Sequence, residues 1–355
     1  MSGHVLIARL DRLGDVLLTG PLVRAVAATA DQVTFLAGPA GAEAAELLPG
    51  VDRVVVEEAG WVVDYNLPVN RRRVEQMVDR LALLKADSAV ILTSFHQSPL
   101  PTAMVLRMAG VAHIGAISSD SPGTLLDIRH HVPDDIHEVE RSLSLGRAMG
   151  FHLPADDDTA LRIHNDGHDC PVQLPRPYIA VHPGTTATAR AWSPQSYAAT
   201  VRALTEGGWS VAVTGNRSEK NLTSQVAGRY GIDLGGQLDL AGLASVLEDA
   251  EATVVGNTGP AHLSAAVGTP VVDIYAPTVP AVRWHPWKVR HAILGNQHVP
   301  CAGCRASLCP VPGHPCVENV SPAEVADAAE RLAAGGTYES SSFHSPAPDL
   351  IGVRK

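Results

Sequence analysis

The strongest constraint on the fold is an alternation of short apolar runs with segments whose apolar residues recur at helical spacing. Residues 5–8 form one such apolar run, and residues 16–28 carry the helical pattern that follows it. Further strands are predicted at residues 33–37, 54–56 and 89–92, and a further helix at residues 74–84. Because strands that alternate with helices form parallel sheets, this half of the chain is predicted to be a doubly wound α/β unit.

The alternation restarts in the second half, beyond a segment rich in Asp and Pro at residues 151–177 that is typical of a linker. Strands are predicted there at residues 178–182, 210–213, 253–255 and 271–275, and helices at residues 194–204, 219–229 and 259–267. A chain of 355 residues exceeds what one hydrophobic core usually supports. We therefore expect two Rossmann-like α/β domains that face each other across a cleft.

The domain boundaries expected from this pattern are as follows. The N-terminal domain covers residues 1–165, and the C-terminal domain covers residues 176–320. A Ser-Pro-Ala-Glu start predicts a final helix at residues 321–334. Residues 335–355 are expected to form a flexible tail.

Charge and the N-terminal sequence exclude several classes of protein. The net charge of -10 leaves no basic excess to neutralise nucleic-acid phosphates, so we expect no nucleic-acid partner. The first apolar run is followed at once by Asp11 and Arg12, which is unlike a signal peptide or a membrane span. The sequence therefore predicts a cytoplasmic protein without a transmembrane segment.

The first candidate site follows the strand at residues 5–8, since ligands of such sheets bind at the carboxyl ends of the strands. Arg12, Gly14 and Asp15 lie between this strand and the first helix. Gly14 allows a tight turn, and a carboxylate at a helix N-terminus beside the cleft is placed to accept a proton from a hydroxyl nucleophile. An alternative of equal weight is that Asp15 only caps the helix.

The second candidate site follows the strand at residues 178–182, where a loop rich in Gly and Thr leads into a helix. Thr185, Thr186 and Arg190 lie in this segment. Backbone amides, hydroxyls and a guanidinium together suit a diphosphate, because they supply both hydrogen bonds and charge. The alternative is an ordinary polar loop with a surface arginine.

The third candidate site joins the strand at residues 253–255 to the next helix. Thr258 and Gly259 begin this helix, Pro260 suits its first turn, and His262 lies close enough to reach an anion bound at the helix N-terminus. A histidine in such a place is alternatively a structural hydrogen-bond partner.

Two further residues follow predicted strands. Glu219 could accept hydrogen bonds from the ribose hydroxyls of a nucleotide, or could be an ordinary acid of a first helical turn. Thr278 could add a hydroxyl to the same pocket.

A cysteine cluster lies in a proline-rich loop near the C-terminus. Its members, spaced C-x2-C-x4-C-x6-C, are Cys301, Cys304, Cys309 and Cys316. Four neighbouring thiols could hold a structural zinc ion. The other interpretation, which we favour, is free or disulfide-linked thiols.

Three segments together resemble glycosyltransferase family 9, the lipopolysaccharide heptosyltransferases and their relatives. They are LGDV at residues 13–16, RAWSP at residues 190–194 and NTGPAHL at residues 257–263. The resemblance extends along nearly the whole chain, and the segments occur in the order and at the spacing of the family.

The resemblance implies a GT-B fold and a metal-independent, inverting sugar transfer without a cofactor. The donor, an ADP-heptose-like nucleotide-diphosphate sugar, would bind the C-terminal domain, and a glycan or small-molecule acceptor would bind the N-terminal domain. Asp15 would be the general base, and the departing diphosphate would be stabilised by Arg190, Thr258, Gly259 and His262. Arg12 and Gly14 would belong to the acceptor-side loop.

Two positions depart from the family pattern. Arg190 stands where the family usually has Lys, which preserves the charge, and Asn257 stands where it usually has Asp. The exchange replaces an acceptor-only carboxylate by an amide that also donates hydrogen bonds, so the donor sugar need not be heptose itself and could be a related sugar. The alternatives from other classes are a GT-B sugar-nucleotide epimerase or hydrolase and a non-catalytic nucleotide-sugar binding protein.

Overall fold

The computed structural model describes residues 3–62, 67–94, 97–164 and 172–338. Within these ranges the chain forms two six-stranded parallel sheets, one in each half. The predicted boundary at residues 165–176 falls largely on residues 165–171, which lie outside the described ranges, as do residues 339–355 of the predicted tail.

The first sheet is built from the N-terminal half in the spatial order β3-β2-β1-β4-β5-β6. Its strands are β1 (His4–Arg9), β2 (Gln32–Ala37), β3 (Arg53–Val56), β4 (Ser88–Leu92), β5 (His113–Ile117) and β6 (Ile128–His130). The helices of this half are α1 (Leu13–Leu17), α2 (Gly20–Ala27), α3 (Ala42–Glu46), α4 (Arg71–Ala82), α5 (Leu100–Met108) and α6 (Glu138–Ala148). The central strand β1 is buried on both faces, which explains its continuous apolar sequence.

The second sheet repeats this arrangement in the order β12-β11-β10-β7-β8-β9. Its strands are β7 (Tyr178–His182), β8 (Ser210–Val213), β9 (Ile232–Asp233), β10 (Ala252–Gly256), β11 (Val271–Ile274) and β12 (His291–Leu294). The helices are α7 (Pro194–Glu206), α8 (Lys220–Ala227), α9 (Leu240–Glu248), α10 (Gly259–Ala266), α11 (Ala281–Trp284) and α12 (Pro322–Ala333). The strand order reverses between β1 and β4 and between β7 and β10, so both sheets have the crevice at which doubly wound folds bind ligands.

The predicted helix at residues 16–28 is wrong as a single element. Two helices, α1 and α2, replace it, and α2 has Pro21 in its first turn. Proline lacks an N–H and its ring clashes with the carbonyl four residues earlier, so a continuous helix cannot pass through this position. The sequence interpretation also assigned no elements to the region that forms α5, β5, β6 and α6.

No helix in the described part of the chain is both long enough and apolar enough to cross a lipid bilayer.

A short segment of the C-terminal half, residues 283–287, lies against the N-terminal half and is called the interdomain strap here. Arg283 donates through Nε to Oε1 of Glu138 at 2.9 Å. Trp287 donates through Nε1 to the carbonyl oxygen of Thr159 at 2.9 Å. The strap therefore connects the two halves on the side where β1 and β10 end.

One histidine of the strap, His285, packs between two other histidines, His137 and His291. The Nδ1 atom of His137 accepts from the backbone N–H of Val139 at 3.2 Å, so its Nε2 carries the proton and donates to the carbonyl oxygen of His285 at 3.0 Å. The ring of His137 stacks on Trp287 with centroids 4.3 Å apart, and the ring of His285 stacks on His291 at 5.2 Å. Burial lowers the pKa of all three histidines, that of His285 to about 4.

We expect the strap to make folding stability sensitive to acid. The pKa of His285 is lower in the folded chain than its ordinary value of 6.5, so below pH 6.5 only the unfolded chain takes up the proton, and stability falls until the pH reaches the folded value of about 4. Between about pH 7.5 and 5.5 the free energy of unfolding of the wild type should fall by about 1 kcal/mol relative to that of His285→Gln. Urea denaturation of both proteins at the two pH values measures this difference, and parallel losses would contradict it.

Candidate active site

The loops that follow β1 and β10 meet at the junction of the two halves. A Cβ atom on Gly14 would lie only 2.7 Å from Cδ2 of His262 and 3.4 Å from Cα of Gly259. The absence of a side chain at Gly14 therefore allows α1 to approach the N-terminus of α10. The structure places Gly14 at this contact between the halves, whereas the sequence placed it with the exposed Arg12 on an acceptor-side loop.

The carboxylate of Asp15 is held on one oxygen. Its Oδ1 accepts from Nη2 of Arg9 at 2.8 Å and from Nε1 of Trp284 at 3.3 Å. In the described part of the chain no hydrogen bond is made to Oδ2, and the side chain is 21% exposed. The N-cap position of α1 is Arg12, which makes no side-chain capping bond. The carboxylate of Asp15 thus binds two side chains and keeps one oxygen for a ligand.

Arg9 connects three carboxylates. Its guanidinium is buried and lies 2.6 Å from Asp11, 2.8 Å from Asp15 and 3.6 Å from Glu138. Burial lowers the pKa of Arg9, but the three carboxylates outweigh this effect and raise it above the ordinary value. The burial of Asp11 itself raises the pKa of its carboxyl group to about 6. Asp11 is only 3% exposed, so Asp15 is the better placed of the two acids to meet a substrate.

Arg190 lies in a 3-10 turn at Thr188–Arg190, after the loop that follows β7. Its Nε donates to Oγ1 of Thr278 at 3.2 Å, and its Nη1 donates to the carbonyl oxygen of Asn257 at 3.4 Å. These contacts fix the guanidinium between the ends of β10 and β11. The structure thus brings together three residues that the sequence placed in separate segments.

Two buried polar atoms beside Arg190 find no hydrogen-bond partner among the described residues: Oδ1 of Asn257 and Nδ1 of His262. Burial lowers the pKa of His262 to about 4, with Asp15 raising it and Arg190 lowering it. The imidazole is therefore neutral near pH 7 and can donate one hydrogen bond. Because buried polar groups are normally hydrogen-bonded, both atoms are open to a bound ligand.

The N-terminus of α10 also points into this region. Thr258 is its N-cap but makes no capping bond, because its hydroxyl donates to the carbonyl oxygen of Gly256 at 3.3 Å. Pro260 lies in the first turn, as the sequence predicted. Uncapped helix N-termini attract anions through their free N–H groups and the helix dipole.

The remaining predicted residues lie at the ends of β7 and β8. The hydroxyl of Thr185 bonds within its own loop, to the backbone of Ala187 at 3.3 Å, and Thr186 is exposed. Glu219 accepts from the backbone N–H of Asn216 at 2.8 Å in a capping box, so the first-turn role considered for it is present. A Cβ atom on Gly184 would lie 2.2 Å from Oε1 of Glu219, so the two loops touch.

The cysteine loop supports the donor-side loop from outside. The carbonyl oxygen of Ser307 accepts from the backbone N–H of Ala189 at 3.0 Å, and Arg305 donates through its backbone N–H to Thr278 at 3.0 Å. Cys301, Cys304, Cys309 and Cys316 are free thiols. In the described ranges no group of three or more His, Cys, Asp or Glu side chains is arranged to hold a metal ion, so the zinc interpretation gains no support.

Sequence reasoning did not select Arg9, Glu138, Arg283 and Trp284 as site residues. Arg9 is the last residue of β1 and lies six positions before Asp15, and this proximity was the one signal in the sequence. Glu138 and Trp284 are separated from Asp15 by 123 and 269 positions, and no local pattern connects them.

Comparison with known proteins gives one family. Residues 88–314 match the sequence model described as glycosyltransferase family 9 (heptosyltransferase). Lipopolysaccharide heptosyltransferase 1 of Pseudomonas aeruginosa is 27% identical over 323 residues, which cover 86% of this chain and 87% of that protein.

Two solved structures resemble the chain over almost its whole length. The family 9 glycosyl transferase of Veillonella parvula has a TM-score of 0.73 at 14% identity, and the match covers 94% of this chain and 98% of that one. The E. coli ADP-heptose LPS heptosyltransferase II has a TM-score of 0.72 at 17% identity, covering 94% of this chain and 99% of that one. These likenesses confirm the expected GT-B fold of two α/β domains.

Proposed function

The chain belongs to glycosyltransferase family 9, and on that premise we propose that it moves heptose or a related sugar from an ADP-linked donor to a hydroxyl of a glycan or small-molecule acceptor. The observation that carries the proposal is that His262, in the C-terminal half, lies against Gly14 of the N-terminal half and within electrostatic reach of both Asp15 and Arg190. A proton acceptor and an anion site thus face one another. The name of the E. coli heptosyltransferase II, which includes ADP-heptose, supports an ADP-linked donor.

Asp15 acts as the general base in this proposal. Its Oδ2 takes the proton of the acceptor hydroxyl while the hydroxyl oxygen forms a bond to the anomeric carbon of the sugar. The bond from that carbon to the diphosphate breaks in the same step, and ADP leaves with the electron pair. The product has the inverted anomeric configuration, and no covalent intermediate between sugar and protein is formed.

The leaving diphosphate gains negative charge as it departs. Arg190 supplies a positive charge, the N-terminus of α10 at Thr258 and Gly259 supplies N–H groups, and the neutral imidazole of His262 supplies one hydrogen bond. The hydroxyls of Thr185 and Thr186, in the loop that precedes Arg190, are proposed as additional donors.

The donor sugar and nucleotide are assigned to the C-terminal half. Asn257 uses its Nδ2 to donate to the carbonyl oxygen of Ala276 at 3.3 Å, so its Oδ1 remains as an acceptor for a sugar hydroxyl. Asn257 thereby keeps one hydrogen-bond acceptor of the Asp that the family usually has at this position. Glu219 is the proposed acceptor for the ribose hydroxyls. The acceptor molecule is assigned to the N-terminal half, with Arg12 at the edge of its site.

The proposal is tested by ligand binding and by turnover. ADP and ADP-heptose should raise the melting temperature more than UDP- or GDP-linked sugars, because a ligand stabilises the native state in proportion to its affinity. ADP release should require an acceptor and be slow in its absence. Rapid conversion of the donor without acceptor would favour an epimerase or hydrolase, and binding without turnover in any acceptor mixture would favour a binding protein.

Gly14→Ala should lower kcat by about 10-fold or more, because the new Cβ atom would force His262 and α10 away from α1 and displace the reacting groups. Gly256→Ala is the matched control, since a Cβ atom there would have its nearest contacts at 3.6 Å, an ordinary separation. Steady-state ADP release measures both. Wild-type turnover in Gly14→Ala would show that this contact is not needed for catalysis.

A further inference from the structure

Five side chains form a closed ring of contacts across the junction of the two halves. The members are Asp15, Arg9 and Glu138 from the N-terminal half and Arg283 and Trp284 from the interdomain strap. Arg9 contacts Asp15 and Glu138 at 2.8 and 3.6 Å, and Arg283 donates to Glu138 at 2.9 Å. The guanidinium of Arg283 lies 4.6 Å from the ring centroid of Trp284, whose Nε1 donates to Asp15 and closes the ring.

The charged members of this ring are removed from water. The side chains of Arg283, Glu138 and Arg9 are 1%, 5% and 4% exposed. Buried charges are costly unless they are paired, so the strap is favoured in the position where the buried guanidinium of Arg283 meets the buried carboxylate of Glu138. The ring therefore favours one seated position of the strap, and in that position the indole N–H of Trp284 reaches Asp15.

The two donors to Asp15 both bind Oδ1. Arg9 comes from the same half as Asp15 and is present whether or not the halves are in contact. Trp284 comes from the opposite half and is present only when the strap is seated. Two donors on Oδ1 fix the rotation of the carboxylate about the Cβ–Cγ bond. The second oxygen, Oδ2, is then held pointing in one direction.

We propose that Trp284 is a positioning residue, which holds Oδ1 of Asp15 so that Oδ2 faces the acceptor hydroxyl when the strap is seated. This inference rests on the proposed role of Asp15 as the base. It adds that the orientation of the base in the N-terminal half is controlled by a residue of the donor-binding half. The base is therefore fully oriented only when both halves of the site are in contact.

The test compares two substitutions that each remove one indole N–H from the strap. Trp284→Phe removes the donor to Asp15 but keeps an aromatic ring next to Arg283. Trp287→Phe is the matched control, because it removes the donor to the carbonyl of Thr159 instead. The reaction measured is ADP release from ADP-heptose in buffer, in which water takes the place of the acceptor, and calorimetry gives the affinity for ADP.

Trp284→Phe should lower kcat by about 10-fold or more, the usual effect of losing a hydrogen bond to a charged group, with no change in the affinity for ADP. Trp287→Phe should keep the wild-type kcat. Equal losses in the two variants, an unchanged kcat in Trp284→Phe, or a loss confined to KM would overturn the inference.

A second comparison separates this inference from the proposed function. If Trp284 acts through Asp15, adding Trp284→Phe to Asp15→Asn should cause no further loss of the residual turnover. An inactive Asp15→Asn with a fully active Trp284→Phe would overturn only the role of Trp284, whereas a fully active Asp15→Asn would overturn the proposed base. If Trp284→Phe does not fold, benzothienylalanine at position 284 makes the same comparison, because it replaces the indole N–H by sulfur within nearly the same outline.

Discussion

Asp15→Asn is expected to lower kcat for sugar transfer by about 10²- to 10⁴-fold, the range found when a general base is removed. Asparagine has the shape of aspartate but cannot take the proton of the acceptor hydroxyl, and its oxygen can still accept from Arg9 and Trp284. The affinity for ADP should not change, because the donor-side contacts are assigned in this proposal to Arg190, Asn257 and His262. Steady-state kinetics and calorimetry with ADP measure the two quantities.

Asp11→Asn is the matched control, since Asp11 lies in the same loop and contacts the same arginine. Asp11 is buried and forms an ion pair, so its substitution should mainly lower the melting temperature and should have only a small effect on kcat. If Asp11→Asn abolished transfer and Asp15→Asn did not, the base would have been assigned to the wrong carboxylate.

Arg190→Ala is expected to weaken donor binding and to lower kcat by about 10²- to 10³-fold, because it removes the charge that faces the leaving diphosphate. Thr278 and Asn257 hold the guanidinium in place, so the substitution removes a charge with a fixed position. Arg190→Lys keeps the positive charge, on the residue type that the family usually has at this position. It should therefore retain much of the affinity that Arg190→Ala loses. Titration of ADP into the wild type, Arg190→Ala and Arg190→Lys tests whether Arg190 binds the diphosphate. Equal affinities in the three proteins would contradict this role.

Much of the fold could be predicted from the sequence, because the central strands of parallel sheets are buried on both faces and appear as continuous apolar runs. β7 (Tyr178–His182) and β8 (Ser210–Val213) were predicted with their exact bounds. β6 (Ile128–His130) was missed because it is a three-residue edge strand without such a run. The break between α1 and α2 was missed because the apolar spacing continues through Pro21.

The candidate site could be predicted only in part. Asp15, Arg190 and His262 follow strands β1, β7 and β10, and the carboxyl ends of these strands lie at the crevices where the strand order reverses. That rule was sufficient to place them near one cleft. The contacts of Glu138 and Trp284 depend instead on how the two halves dock, and docking is decided by long-range pairing of buried charges that leaves no local pattern in the sequence.

The most direct test of the account is the anomeric configuration of the product. A single displacement in which Asp15 acts as base inverts the configuration at the anomeric carbon, and proton NMR of the glycoside formed from ADP-heptose and an acceptor determines it. We expect a glycoside whose anomeric configuration is opposite to that of the donor, and no product from Asp15→Asn in the same time. A product with the configuration of the donor would exclude a single inverting displacement and would contradict the assignment of Asp15 as its base.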